Sequence, residues 1–283
     1  MSNTIKTFNE YPLSPDEVLI WWLGSAGFYF RTLNKKIIID PYLSNSVYNV
    51  LKPLFQNAEK ELSRLVSLPL KPGEISCDYY FCTHDHLDHL DPETVSGIKD
   101  KSSMTFIGPE SCAKHLGKLG VPANSIKIIR RGESLQLDHD CHVTAFHAKH
   151  RGSLNIAASL KSNKEIYNED DGQGYILSID HINIYHTSDT ESLAGFKDLK
   201  EFNIDILLLA ANGKGGNLTA EEGIRLIKVI KPKVIIPMHY GIIPYTDSDP
   251  AIIKKLLMGT GVDSKLKILH VGGFYLYKKG NMK

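Results

Sequence analysis

Residues 83–91 of the chain read Thr-His-Asp-His-Leu-Asp-His-Leu-Asp, and an apolar run that predicts a buried strand leads directly into them. Three histidines and an aspartate stand there in the spacing HxHxDH, all within six residues. A loop that leaves a strand end can turn successive side chains inward. His84 and His86 could then bind one metal ion while Asp88 and His89 face a second. The spacing therefore predicts a metal centre built around this loop.

The alternative interpretation of the same stretch is a polar, solvated loop, or histidines that cap the helix after it. Helix capping needs only Asp91, which has a typical N-cap side chain and is followed by Pro92 at the first helical position. With the His and Asp frequencies of this chain, a chance match to the spacing has odds of about one in a thousand. We therefore favour metal binding.

Two metal ions need more ligands than one loop supplies, and strand ends elsewhere in the chain offer them. His147 follows the apolar run 143–146, Asp189 lies just beyond another such run, and His239 follows 234–238. Functional side chains gather at strand ends in layered α/β folds. Taken singly, each of these residues would more often be a structural or surface group. Together with the loop they complete a set of seven donors.

The rest of the pattern predicts an α/β protein with two sheet-rich halves. Three short strands at 18–22, 27–31 and 36–40 form an antiparallel meander. The last third alternates strands with helices, one of which opens with a capping box formed by Thr219 and Glu222. Further strands are expected at 126–130, 143–146, 175–179, 182–185, 205–210, 234–238, 267–271 and 274–277, and helices at 57–68 and 109–119.

The segment of about 41–76 has the weakest pattern in the chain. An irregular stretch of this length is usually an active-site lid, a partner surface or a simple excursion of the chain, and all three interpretations stay open. No linker of disordered composition interrupts the sequence. We therefore predict a single domain over residues 1–283.

The composition is that of an ordinary globular protein. The chain has 283 residues with 33 Lys and Arg against 32 Asp and Glu, a net charge of +1, and 12 histidines. Such a balance provides no field for nucleic acid or anionic lipid, so we expect a small-molecule partner, with a homo-oligomer left open. No signal peptide is visible and the apolar runs are too short to cross a bilayer, which predicts a cytoplasmic protein.

The motifs resemble those of a known family. The HxHxDH loop, followed by His147, Asp189 and His239 at strand ends, is similar to the five-motif pattern of the metallo-β-lactamase superfamily. The resemblance implies an α/β fold of the four-layer αββα type, in which two sheets pack face to face with helices outside. Further stretches resemble the L-ascorbate-6-phosphate lactonase-like branch: WWLG at 21–24, FIGP at 106–109, YH at 185–186, IIPMH at 235–239 and VGG at 271–273.

The resemblance also implies how the ligands divide between the ions. His150 lies three residues after His147 and could replace it, but we favour His147 because it stands at the strand end. Ser188 stands where many relatives have Gly before the bridging aspartate. In the implied arrangement the first ion is bound by His84, His86 and His147, the second by Asp88, His89 and His239, and Asp189 bridges both.

Two divalent ions, Zn²⁺ or Mn²⁺, would share a water molecule and bring its pKa toward neutrality, so that hydroxide attacks a carbonyl or phosphoryl centre. Asp88 and His186 are the candidate catalytic residues. His186, or an unused His150, could donate a proton to the leaving group, the alternative being a neutral core histidine. Di-iron relatives resemble this fold but place Glu at the position of His86, which favours hydrolysis over redox chemistry here.

Three residues near the proposed ligands are candidate donors for a phosphate or carboxylate on the substrate, namely Arg151, Asn212 and Lys214. Solvated surface groups are the alternative interpretation. The sequence thus predicts a metal-dependent hydrolase that acts on a small anionic lactone or sugar-phosphate-type ester. The alternatives are a phosphodiesterase for a small nucleotide or lipid diester, and a non-catalytic metal-binding regulatory protein.

Overall fold

The computed structural model describes residues 3–149 and 172–280, and within these the chain forms two seven-stranded sheets. The first sheet contains β1 (Glu17–Gly24), β2 (Gly27–Arg31), β3 (Lys36–Ile39), β4 (Tyr79–Phe81), β5 (Thr105–Gly108), β6 (Ile126–Ile128) and β14 (Phe274–Lys278). The second contains β7 (Ser134–Asp138), β8 (Cys141–His147), β9 (Gln173–Ile179), β10 (Ile182–His186), β11 (Ile206–Ala210), β12 (Val234–Met238) and β13 (Lys265–Leu266).

Each sheet joins an antiparallel half to a parallel half. The order in the first is β14-β1-β2-β3-β4-β5-β6, antiparallel from β14 to β3 and parallel from β3 to β6. The order in the second is β13-β12-β11-β10-β9-β8-β7, parallel from β13 to β10 and antiparallel beyond. Parallel strands end at a common edge, so the loops that leave them bring distant residues together.

Helices cover the outer faces of both sheets. The helices of the described residues are α1 (Asn3–Glu10), α2 (Ser46–Leu51), α3 (Ala58–Leu62), α4 (Pro92–Gly97), α5 (Glu110–Lys118), α6 (Ala220–Ile230) and α7 (Ala251–Leu257), of which α2 and α3 lie beside the loop after β12 instead. Short 3₁₀ turns lie at Lys52–Leu54, Pro72–Glu74, Ala123–Ser125 and Phe196–Phe202. Within the described ranges, no helix has the length and apolar character needed to span a membrane.

The alternation of side chains along β1 explains the layers. Ile20 and Trp22 belong to the core between the two sheets, whereas Trp21 faces outward and packs on Phe8 of α1 with ring centroids 5.2 Å apart. Successive side chains of a strand point to opposite faces, so a strand that is apolar throughout must be covered on both. Ile224 of α6 belongs to the matching cluster outside the second sheet. The predicted αββα sandwich is confirmed.

Two elements differ from the sequence-based expectation. The helix expected at 57–68 ends at Leu62, because Ser63 adopts an extended backbone. The strand expected at 267–271 is replaced by the short β13. The chain there leaves the second sheet for the first, where the Gly272 amide donates to the Trp22 carbonyl over 2.8 Å. The single-domain organisation stays a prediction.

Candidate metal centre

The predicted ligands come together where strands of both sheets end. The loop 83–91 leaves β4, Asp189 follows β10 and His239 follows β12 directly. His89, Asp189 and His239 are almost fully buried, whereas Asp88 is partly accessible. Because β10, β11 and β12 pair in parallel, Asp189 and His239 lie at the same edge of the second sheet, as expected from their positions after strands.

Four side chains form a tight ring of alternating imidazoles and carboxylates. The Nε2 atom of His239 lies 3.2 Å from Oδ2 of Asp189 and 3.3 Å from Oδ2 of Asp88. The Nε2 atom of His89 lies 3.4 Å and 3.7 Å from the same two oxygens. Ligands about 2.0–2.1 Å from a tetrahedral zinc ion stand roughly 3.3 Å from one another. The spacing of the ring therefore suits a shared cation.

Two triplets of side chains could each hold a metal ion, and His89 belongs to both. Within each triplet the potential ligand atoms lie within 4.8 Å of one another. Asp88, His89 and His239 form one of them, which is the set expected for the second ion. The other joins His84 and His89 to Asp189. Assignment of the individual ligands stays a prediction, since the expected first set differs in part from this triplet.

His86 and His147 are the two expected ligands outside these triplets. The ring of His86 lies 4.4 Å from that of His84, centroid to centroid, so it borders the cluster. His147 ends β8, and its Nδ1 lies 3.4 Å from Nη1 of Arg131. Burial, with the nearby Arg131 and Lys149, lowers the pKa of His147 and favours the neutral ring that a metal requires. His150 and Arg151 lie outside the described residues.

The donor set fits divalent metal ions. Neither Nε2 of His89 nor Nε2 of His239 makes a hydrogen bond, although both atoms are buried. Burying a polar atom that lacks a hydrogen bond is costly, and here such atoms face carboxylate oxygens 3.2–3.7 Å away, which is ligand spacing. Mixed imidazole and carboxylate donors suit zinc and manganese.

The charges of the cluster depend on one another. Burial lowers the pKa of His239, but Asp189 and Asp88 outweigh it and raise that pKa to about 10. The pKa of His89 is also raised, since Asp189, Asp88 and Asp40 outweigh its burial. Burial raises the pKa of each carboxyl of Asp88 and Asp189, yet the two histidines lower both. A cation bound here would take over the role of the histidine protons, so metal binding would release protons.

Asp40 contacts the cluster although its sequence position did not predict this. It follows β3, is fully buried, and its Oδ2 lies 2.7 Å from Nδ1 of His89. Thr83 fixes the carboxylate twice, since its amide donates to Oδ1 and its hydroxyl to Oδ2. A carboxylate on the far nitrogen of a histidine sets its tautomer and turns Nε2 toward the metal. The only sequence signal is an aspartate at the end of an apolar strand.

Backbone strain is concentrated in the same region. Ser25, Asp40, Ser188 and His239 adopt φ angles of 47°, 44°, 56° and 67° respectively. The left-handed region is unfavourable for residues with a side chain and tends to persist only where the surroundings enforce it, as at functional sites. Glycine at position 188 would meet this requirement, because glycine adopts such angles without strain.

The proton-donor role expected for His186 stays a prediction, because both of its ring nitrogens have backbone partners in this structure. The ring is fully buried, its Nε2 lies 2.8 Å from the Ala26 carbonyl, and its Nδ1 accepts from the Ser188 amide over 3.1 Å. Both ring nitrogens are therefore occupied by backbone groups, and burial lowers the pKa of His186 further. The alternative interpretation, a neutral core histidine, agrees with this geometry. His186 positions the turn that carries Asp189.

Asn212 and Lys214 contact backbone groups rather than open space. The Asn212 side-chain amide donates to the carbonyls of His239 and Thr246 over 3.1 and 3.0 Å. Lys214 is exposed and donates to the Asp247 carbonyl. The expectation that both bind substrate stays a prediction; in this structure Asn212 holds the turn of His239. For Lys214 the contact favours a role at the rim.

A small cavity of about 70 Å³, partly open to solvent, lies beside the cluster. Its polar side is formed by His86, Asp88, Asp189 and His239. An apolar part of the lining, here called the apolar wall, comes from 46–62 and from the loop after β12. The apolar wall consists of Val47, Leu51, Phe55, Leu62, Ile243 and Tyr245.

Several known proteins are similar to this chain. The sequence family described as Beta-lactamase superfamily domain matches residues 19–239. A UPF0173 metal-dependent hydrolase of Archaeoglobus fulgidus is 26% identical over 266 residues, covering 92% of this chain and 99% of that protein. Igni18, a metallo hydrolase from Ignicoccus hospitalis, has a TM-score of 0.70 at 20% identity, covering 93% and 100%. An isothiocyanate hydrolase from Delia radicum gut bacteria has the same TM-score and identity, covering 92% and 99%.

Proposed function

The chain belongs to the metallo-β-lactamase superfamily, and we propose that it is a metal-dependent hydrolase that opens lactone or related ester bonds with two divalent ions, Zn²⁺ or Mn²⁺. The observation that carries this proposal is the ring of His89, His239, Asp88 and Asp189, whose facing atoms are 3.2–3.7 Å apart. A small molecule can reach these groups through the adjoining cavity.

The chain's own residues would hold and orient the reacting groups. Bound ions would lower the pKa of a water molecule, so that hydroxide is available near neutral pH, and would polarise the bond under attack. Asp88 both faces the cavity and lies beside His239, and its Oδ2 accepts from the Ser25 hydroxyl over 3.3 Å. Asp40 fixes His89 from behind.

The leaving oxygen needs a proton from a source other than His186, because both nitrogens of that ring are bonded to backbone groups. In a lactone the departing oxygen stays attached to the product as an alkoxide, and solvent that reaches the cavity can supply its proton. The expected anionic group on the substrate receives less support, because the Asn212 amide and the Lys214 ammonium are engaged by carbonyls.

The test combines metal analysis with a substrate panel. The purified protein is stripped, reconstituted with Zn²⁺ or Mn²⁺, and assayed with a simple lactone, a sugar-phosphate lactone and a chromogenic phosphodiester. We expect metal-dependent turnover of at least one lactone. Turnover of the diester alone would replace the proposal with the phosphodiesterase alternative, and metal binding without turnover of any probe would favour the regulatory one.

A matched pair of variants links activity to the site. His84→Ala should reduce both bound metal and turnover, because His84 lies within ligand distance of His89 and Asp189. His142→Ala is the control, since His142 is an exposed histidine of β8. Wild-type metal content in His84→Ala would contradict the ligand assignment.

A further inference from the structure

We propose that the substrate carries an apolar arm, which the apolar wall receives while the hydrolysed bond lies at the metal cluster. This inference rests on the proposed hydrolase function and specifies its substrate class. The wall and the cluster border one cavity, so a single small molecule can contact both. None of the described residues that line this cavity is Lys or Arg.

The wall follows from the spacing of apolar residues in the segment whose role the sequence left open. Val47 and Leu51 are four residues apart on α2, and Phe55 follows the 3₁₀ turn after it with an extended backbone; all three line the cavity. Val50 and Leu54, on the other side of this segment, are 38% and 37% exposed to solvent. Residues four apart share one helix face, so the inner face is apolar by sequence.

Hydrogen bonds attach the segment that carries the apolar wall to its neighbours. The Ser46 hydroxyl donates to the Leu87 carbonyl in the metal-binding loop over 3.4 Å. Arg64 donates to the carbonyls of Tyr42 and Ser44, which fixes the far end of the same segment to the strand end beside it.

The loop after β12 closes the wall from the other side. The Leu65 amide donates to the Ile242 backbone carbonyl over 2.8 Å, and the Tyr245 amide donates to the Glu61 backbone carbonyl over 2.9 Å. The rings of Phe55 and Tyr245 meet edge to face at 5.3 Å. A fixed apolar surface lowers the ordering cost of binding, so the gain from burying an alkyl group is retained.

The size of the effect follows from the hydrophobic contribution of a methylene group. Complete burial of each additional methylene improves affinity by up to about fourfold. A sugar-type substrate would gain nothing from this surface and would leave polar groups facing it without hydrogen-bond partners. The apolar wall therefore favours a neutral alkyl or aryl substituent on the lactone or ester.

The test uses γ-lactones with unbranched tails, from the unsubstituted ring to an octyl tail, on the metal-loaded enzyme. We expect kcat/KM to rise severalfold per methylene until the cavity is filled. A second readout is calorimetric binding of straight-chain carboxylates of matching lengths, which does not require turnover. Tail-independent kcat/KM together with tail-independent binding would overturn the apolar subsite.

Leu51→Asp places a charge on the wall and should abolish the dependence on tail length. Val50→Asp is the matched control, with the same charge on the outer face of α2. If circular dichroism shows that Leu51→Asp misfolds, Leu51→Phe should instead shorten the tail that is preferred. Equal tail dependence in the folded Leu51 variant and in wild type would contradict the proposal.

The two proposals fail in different ways. Hydrolysis of lactones at rates independent of tail length, with a preference for the sugar-phosphate lactone, would keep the hydrolase and remove the apolar subsite. Absence of lactone turnover, with carboxylate binding that strengthens with chain length in wild type and not in Leu51→Asp, would keep the subsite and remove the lactonase function.

Discussion

Single side chains that need not touch a metal ion or a substrate still determine the shape of this site. Asp40 orients His89, Ser188 carries a strained backbone angle directly before Asp189, and Asn212 holds the turn of His239. Each acts through a group of the candidate metal centre. Partners of this kind typically influence metal affinity about as much as some of the ligands themselves.

Asp40→Asn should weaken metal binding without unfolding the protein. Asn accepts the positive φ of this position and keeps one oxygen, but it removes the charge that holds the His89 ring. We expect metal affinity to fall about ten- to a hundredfold, measured by competition with a chromogenic chelator. Asp205→Asn is the control, since Asp205 is a buried carboxylate of a different cluster. Equal losses of affinity in both variants would contradict a specific role for Asp40.

Ser188→Gly should stabilise the protein. The φ of 56° costs a residue with a side chain about 1–2 kcal/mol, and the buried Ser188 hydroxyl makes no hydrogen bond. After the entropy that glycine gains in the unfolded chain is subtracted, we expect a net increase of roughly 1 kcal/mol in the free energy of unfolding by urea. Ser188→Ala removes the hydroxyl but keeps the strain, so it should be less stable than Ser188→Gly. The reverse order would contradict strain at this position.

At the scale of elements, one buried carboxylate links the two sheets. Asp205 precedes β11, and its Oδ1 accepts from the Tyr277 hydroxyl of β14 over 3.1 Å and from Lys233 over 2.8 Å. Its Oδ2 accepts from the Asn183 amide of β10 over 2.9 Å and from Lys279 over 3.1 Å. The edge of the first sheet is thereby attached to the parallel half of the second.

Asp205→Asn should destabilise the protein at neutral pH but not in acid. Burial raises the pKa of Asp205, yet the Asn183 amide and the ammonium groups of Lys233 and Lys279 outweigh it and lower that pKa. A lowered pKa means that the stabilisation is complete above the ordinary value of 3.8 and disappears as the pH falls through the folded-state value. We expect a loss of about 2 kcal/mol at pH 7, measured by urea unfolding.

The same measurement at acidic pH provides the internal control. Below the folded-state pKa, wild type also carries a neutral Asp205, so the difference between the two proteins should shrink toward zero. If the difference in the free energy of unfolding between the two proteins stays constant with pH, the charge of Asp205 does not contribute to the stabilisation.

The sequence was sufficient for elements with strong periodicity and for side chains that follow them. The strand into the 83–91 loop, the strand before His239 and the capping box of Thr219 with Glu222 were all predicted, because each depends on local pattern. Asp40 could not be predicted, since its role depends on parallel pairing of β3 with β4, which brings it to Thr83 and His89. The early end of β13 likewise depends on the passage to the other sheet.

Burial decided the roles that sequence left open. From the sequence alone, a histidine that follows a strand can be a metal ligand, a general acid or a core residue. His239 faces two carboxylates with an unbonded nitrogen, whereas His186 has both nitrogens bonded to backbone. The segment 41–76 was open for the same reason, because its apolar face meets a loop far away in the sequence. Phe55 packs against Tyr245, which is 190 residues further along the chain.

At the scale of the whole molecule, the cluster lies where the two sheets meet, so its occupancy should affect global stability. His89, Asp189 and His239 are each at most 3% exposed. An ion that binds the folded chain alone stabilises it by about 4 kcal/mol when its free concentration is a thousand times its dissociation constant. In a protein of this size, each kcal/mol corresponds to about 2–4 °C in Tm.

Removal of the metal by chelation should therefore lower Tm by roughly 10 °C, measured by differential scanning calorimetry. The shift should reverse on readdition of Zn²⁺ or Mn²⁺, and chelator saturated with metal beforehand should have no effect. His239→Ala is the decisive control: it lacks one of the buried nitrogens that face both carboxylates, so its Tm should respond far less to the chelator. An unchanged Tm in the wild type would mean that the buried ring is stable on its histidine protons alone, and would count against a metal centre between the sheets.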